Sequence, residues 1–171
     1  MCNTYSSIIM KIIAIDPGYD RCGVAVMEKN LKTGKESLIT SMCIETSSKE
    51  SFLDRLFTIG DRVEKIIKKE LPTALSIEKL FFNTNQKTAT NVSEVRGALL
   101  YMAKKYNLKI YEYTPIQIKM AITGHGRSSK SQVISIIPRL LKVNKDIKRD
   151  DEWDAIAVGL TCFACERFTL E

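Results

Sequence analysis

Asp16 closes an isoleucine-rich run with Asp16-Pro17-Gly18, and Glu78 closes a second apolar run, Ala74-Leu75-Ser76-Ile77. A carboxylate at the carboxyl end of a buried strand lies where an open α/β sheet holds its ligands. Alone, Asp-Pro-Gly is ordinary turn chemistry; a second acid in the equivalent position of a neighbouring strand changes the reading. Asp151 and Asp154 are the third and fourth acids. Their i, i+3 spacing sets both on one helical face that continues as Val158 and Cys165, so they are expected to point toward the core, with Asp150 and Glu152 off that face and solvated. A capping role would account for Asp151 but not for Asp154, which sits inside the turn. Four converging carboxylates repel, since two unit charges about 4 Å apart at an effective dielectric of about 20 cost about 4 kcal/mol. Oxygen donors without a Cys or His cluster select a hard cation, Mg²⁺ with Mn²⁺ as its substitute, and two such ions balance four negative charges. Paired ions roughly 4 Å apart are the recurring device for hydrolysing a phosphodiester.

The elements that would hold these acids follow from patterning. Residues 10–15, 22–28 and 36–45 read as three antiparallel strands, with Thr33-Gly34 in the second connection. Ser47-x-x-Glu50 has the capping-box form ahead of Phe52, Leu56, Ile59, Val63 and Ile66 at helical spacing. Residues 73–78 and 109–113 give two more strands, around a helix over 88–106 striped by Val92, Val95, Leu99, Met102 and Tyr106. Helices over 115–122, 129–141 and 151–168 complete the chain, with Pro138 expected to kink the second of them. This order predicts a five-stranded mixed α/β sheet with helices on both faces.

The 171 residues suit one domain, taken here as 10–168 behind an N-terminal extension over 1–9. Lys and Arg number 26 against 20 Asp and Glu, and the formal charge of +6 fits an anionic partner. The longest apolar run, 8–15, is broken by Lys11 and falls short of the roughly 18 residues of a membrane span, and its flanks lack the features of a signal peptide. Five cysteines without framework spacing read as free thiols in a reducing, cytoplasmic compartment. Cys162-x-x-Cys165 lacks the second half of a zinc site and reads as small helical hydrophobes.

Several pieces together resemble, in order and spacing, the RuvC-type Holliday junction resolvases. They are Ile13-Ala14-Ile15-Asp16-Pro17-Gly18 with Gly23, Ile77-Glu78-Lys79-Leu80-Phe81-Phe82 with Asn85, Arg96-Gly97, Tyr113-Thr114-Pro115, Lys119, Gly124-x-Gly126-x-x-x-Lys130-Ser131-Gln132-Val133 and Asp151-x-x-Asp154-Ala155. The match spans about 10–164. The resemblance implies a ribonuclease H-like fold, a homodimer and Mg²⁺-dependent paired nicking of a four-way DNA junction in recombination and repair. It implies Asp16, Glu78, Asp151 and Asp154 as catalytic metal ligands, Lys119 and Lys130 near the scissile phosphate, and Phe81 as an aromatic that stacks at the junction centre. Arg127, beside the loop Gly124-His125-Gly126, joins the expected DNA-binding residues, and the RuvA and RuvB branch-migration proteins are the partners suggested. Cys22, Val24-Ala25 and Glu94 depart from the family pattern without removing a metal ligand.

The opening Asp16-Pro17-Gly18-x-x-Arg21-x-Gly23-Val24-Ala25-Val26 also resembles YqgF-type nucleases of ribosomal RNA maturation, the alternative reading. An actin-like ATPase would need a second domain, and Ser129 breaks a P-loop match over 124–131. An architectural DNA binder would not need four acids at one site.

Overall fold

The computed structural model describes residues 8–80 and 86–168. Strands β1 (Ile9–Asp16), β2 (Arg21–Asn30) and β3 (Glu36–Glu45) form an antiparallel meander. Strands β4 (Ala74–Glu78) and β5 (Lys109–Tyr113) add in parallel beyond β1, giving the order β3-β2-β1-β4-β5. Strand β1 thus takes in Ile9, from the segment assigned to the N-terminal extension.

Side chains alternate between sheet faces, and both faces are covered. Ile13, Ile15, Val24, Val26, Leu75 and Ile77 pack against helices α1 (Phe52–Glu70) and α2 (Gln86–Lys105). Ile12, Ala14, Ala25, Met27 and Ala74 pack on the other face with α3 (Pro115–Thr123), α4 (Lys130–Leu140) and α5 (Asp150–Cys165). Strand runs apolar on both faces, such as Ile12-Ile13-Ala14-Ile15, follow from this double cover.

Some local readings change. Helix α1 is capped by Ser51, whose hydroxyl accepts from the Asp54 amide, whereas Ser47 Oγ accepts from the Lys49 amide in the preceding turn. Helix α5 stops at Cys165, short of residue 168, where Phe168 instead packs edge-on against Tyr111 and Phe163. Helix α4 continues past Pro138 to Leu140, which leaves the proline in the last turn. In α2, Val95, Leu99 and Ala103 are buried against the sheet, so the apolar stripe of this helix is mainly core. Among the described residues, Cys22, Cys43, Cys162 and Cys165 are free, and no helix is long and apolar enough to cross a membrane.

Candidate active site

The pairing of Ile15 with Ile77 brings Asp16 and Glu78 side by side at the carboxyl ends of parallel β1 and β4. Ala14 and Ala74 face α5, and alternation turns Asp16 and Glu78 to that same side. Helix α5 is seated close to the sheet by two small residues. Gly23, paired with Asp16, leaves room for the Asp151 carbonyl oxygen, which an added Cβ would meet at 1.8 Å. Further along, Gly159 lies over Met27 and Ala14. Asp151 and Asp154 are thereby held over the two strand-end acids.

Electrostatics records that convergence. Burial, then the charges of Glu78, Asp154 and Asp151, raise Asp16 well above the usual carboxylate range. Burial and Asp154 push Glu78 up to about 7, against the pull of Lys130 and Lys119. Burial also raises Asp154, although Lys130 opposes it. Lys130 Nζ lies 2.6 Å from Asp154 Oδ2 and 3.7 Å from Asp150, and Arg21 Nε lies 3.3 Å from Asp151 Oδ2. Lys119 and Lys130 share a cleft with Glu78 and Asp154, backed by apolar Ile118 and Val133.

All four acids offer carboxylate oxygen, and the mutual repulsion at Asp16 and Glu78 is what a divalent cation relieves, so the donor set fits Mg²⁺ or Mn²⁺. Among the described residues, no three Asp, Glu, His or Cys side chains are already drawn together closely enough to ligate one ion. Arg21 and Lys130 engage Asp151 and Asp154 instead.

The remaining expected site residues divide. Phe81, with Asn85, lies outside the described residues. Arg127 is exposed, as is His125. The loop over 124–129 is wired to α3, since Thr123 Oγ1 accepts from the His125 amide at 3.1 Å and shares a hydrogen bond of 2.7 Å with Ser128. Gly124, at φ 75°, ends α3 in the left-handed conformation that glycine tolerates best.

Two expectations for α5 fail. Glu152, read as solvated, is buried and receives a hydrogen bond of 2.6 Å from Ser41 Oγ, because β3 lies against that side of the helix. Cys165, read as continuing the inward face, is exposed at the helix end. Arg21 and Arg96 were the missed neighbours of the acids. Period-two alternation along β2 sets Arg21 on the same side as Gly23, a signal readable once the hairpin register is fixed. Arg96 Nε donates to the Glu78 carbonyl oxygen at 3.2 Å and its guanidinium pairs with Glu112, bracing the end of β4.

The crowding has a measurable sign. Glu78 titrates at about 7 in the fold against an ordinary value of 4.5, so across that window the folded state keeps a proton that the unfolded chain has released. Stability contributed below the lower value is lost as pH rises through the higher one. Urea titrations in EDTA should therefore show the unfolding free energy declining from about pH 5 to pH 8, and Mg²⁺ should flatten the decline. A rising profile in EDTA would contradict the convergence of the acids.

A family model described as crossover junction endodeoxyribonuclease RuvC matches residues 12–162. The protein of that name from Thermosipho melanesiensis is 43% identical over 157 residues, covering 92% of this chain and 98% of its own. That from Halothermothrix orenii is 42% identical over 151 residues, covering 88% of this chain and 90% of its own. Among solved structures, Thermus thermophilus RuvC in complex with Holliday junction substrate aligns with a TM-score of 0.82 at 29% identity, over 91% of this chain and 93% of that one. The yeast mitochondrial Holliday junction resolvase, at 13% identity and a TM-score of 0.69, covers 91% of this chain and 78% of its own and shares the fold.

Proposed function

The chain belongs to the RuvC family of crossover junction endodeoxyribonucleases, and from that membership we propose that it resolves four-way DNA junctions with Asp16, Glu78, Asp151 and Asp154 as its metal-holding catalytic acids. The observation that carries the assignment is the convergence of Asp16 and Glu78, at the ends of two paired parallel strands, with Asp151 and Asp154 of one helix, which together with burial raises the titration of Asp16. The YqgF-type alternative rested on residues 16–26, whereas the RuvC match runs over 12–162.

Two divalent ions, Mg²⁺ with Mn²⁺ as substitute, would supply Lewis-acid activation of water and stabilisation of the leaving 3′ oxygen. The chain's own residues do the rest. Asp16 and Glu78 fix one side of the site on rigid strands, and Asp151 and Asp154 close it from α5. Lys130 and Lys119 line the cleft where they can hold the scissile phosphate and offset charge developing on it. Phe81 and Arg127 extend the DNA-binding set, and RuvA and RuvB are proposed as partners in the cytoplasm.

A junction has two symmetry-related strands to cut, which an isologous dimer matches with two sites. Leu53 and Phe57 of α1 and Tyr101 of α2 remain 71%, 72% and 73% exposed, and Phe57 and Tyr101 line one groove, a surface suited to a second copy. Tyr101→Glu is expected to shift the protein to monomer in gel filtration with light scattering while its melting temperature holds. A dimer that survives the change would remove this surface from the proposal.

The functional test is substrate choice in Mg²⁺. The protein should nick a four-way DNA junction at two symmetric positions and leave linear duplex DNA and structured RNA intact. Preference for RNA would overturn the assignment.

A further inference from the structure

Helix α5 begins without a side-chain cap, since Arg149 at the capping position makes no such hydrogen bond. Its first turn nonetheless carries Asp151 and, one residue later, the buried Glu152. A buried carboxylate needs compensation, and Glu152 finds it in two places. Ser41 Oγ on β3 donates to Glu152 Oε1 at 2.6 Å, and the Lys145 ammonium forms an ion pair with the same oxygen. Lys145 also donates to the Ser41 backbone carbonyl at 2.7 Å, which closes a ring joining β3, the α4–α5 connection and α5. Arg149 adds a second tie to β3 by bidentate hydrogen bonds of 2.8 and 2.9 Å to Glu45.

We propose that the Ser41–Lys145–Glu152 ring is a positioning device, with Glu152 setting the first turn of α5 so that Asp151 and Asp154 stay on the side of Asp16 and Glu78. The ring touches none of the reacting atoms and acts through α5. Residues 152 and 151 are adjacent on a rigid turn, so a shift of the buried carboxylate moves the neighbouring ligand. Outer-shell groups that orient ligands typically change metal affinity by about 10–100-fold when removed. The proposal rests on the metal-site assignment above, and its test separates the two.

Glu152→Ala, Lys145→Ala and Glu152→Gln are compared with the wild type and with Asp154→Asn. The readouts are single-turnover junction cutting, junction affinity in Ca²⁺, and Mn²⁺ affinity by titration calorimetry in the absence of DNA. Lys145→Ala and Glu152→Ala should each slow cutting and weaken Mn²⁺ binding about tenfold, with junction affinity within twofold of wild type. Glu152→Gln keeps an oxygen for Ser41 and Lys145 and should restore both. Lys145 is partly exposed, at 43%, so its replacement carries the test should Glu152→Ala fail to fold. Wild-type cutting and Mn²⁺ affinity in Lys145→Ala, beside an inactive Asp154→Asn, would overturn the ring and keep the metal site. Undiminished cutting by Asp154→Asn would overturn the metal-site reading itself.

Discussion

Asp16→Asn is expected to abolish junction cutting while making the ion-free protein more stable. Asp16 is the acid that feels all three others, and burial forces that repulsion through low dielectric. An amide keeps the shape and removes the charge. The rate should drop roughly a thousandfold or more, the upper part of the range for losing one group that stabilises a transition state. Junction affinity in Ca²⁺ should hold, because Lys119, Lys130 and the rest of the chain's positive charge are untouched. Relief of repulsion should raise stability in EDTA by about 1 kcal/mol, or about 2–4 °C in melting temperature at this chain length. Mg²⁺ should stabilise the wild type and leave the variant nearly unchanged, since only a ligand bound to the folded state shifts the melting curve. Equal stabilisation of both proteins by Mg²⁺, or retained cutting, would remove Asp16 from the ligand set.

Gly23→Ala should damage fold and site together. The added Cβ would stand 1.8 Å from the Asp151 carbonyl oxygen and 2.6 Å from its carbon, and both are backbone atoms that no rotamer change can move aside. Helix α5 must lift at its first turn or β2 must bend away from it. Overpacking of this kind costs roughly 1–3 kcal/mol, or several degrees of melting temperature. The displaced turn carries Asp151, and Asp154 lies one turn further on, so cutting should fall by far more than the loss of folded protein accounts for. Thermal unfolding and single-turnover cutting at a temperature where the variant is fully folded separate the two effects. Wild-type cutting in the folded variant would mean that α5 tolerates displacement and that the close seat on Gly23 serves packing alone.

The strand-end acids were legible because the arguments for them are short-range. An apolar run ending in Asp or Glu places that residue at the carboxyl end of a strand, and parallel neighbours bring two such ends together, as Asp16 and Glu78 are brought. The i, i+3 rule likewise set Asp151 and Asp154 on one face. The same rule misplaced Glu152, because helical period tells which residues share a face and says nothing of what lies against it. Strand β3 covers that flank, through Ser41, 111 positions away in sequence. The α2 stripe shows the same limit, since its periodicity was readable while its use as core rather than as interface depended on the sheet beneath it.

By itself, then, the sequence determined the strands and helices, the mixed sheet between two helical layers, the strand-end positions of Asp16 and Glu78 and the place of Asp151 and Asp154 in the first turns of the last helix, since periodicity, turn chemistry and charge act over a few residues. Only the tertiary structure decided that Arg21 and Lys130 engage the α5 acids, that Gly23 seats the helix, and that Glu152 is buried in a ring with Ser41 and Lys145. Those contacts join segments far apart along the chain, and their energies depend on distance and desolvation that no local pattern encodes.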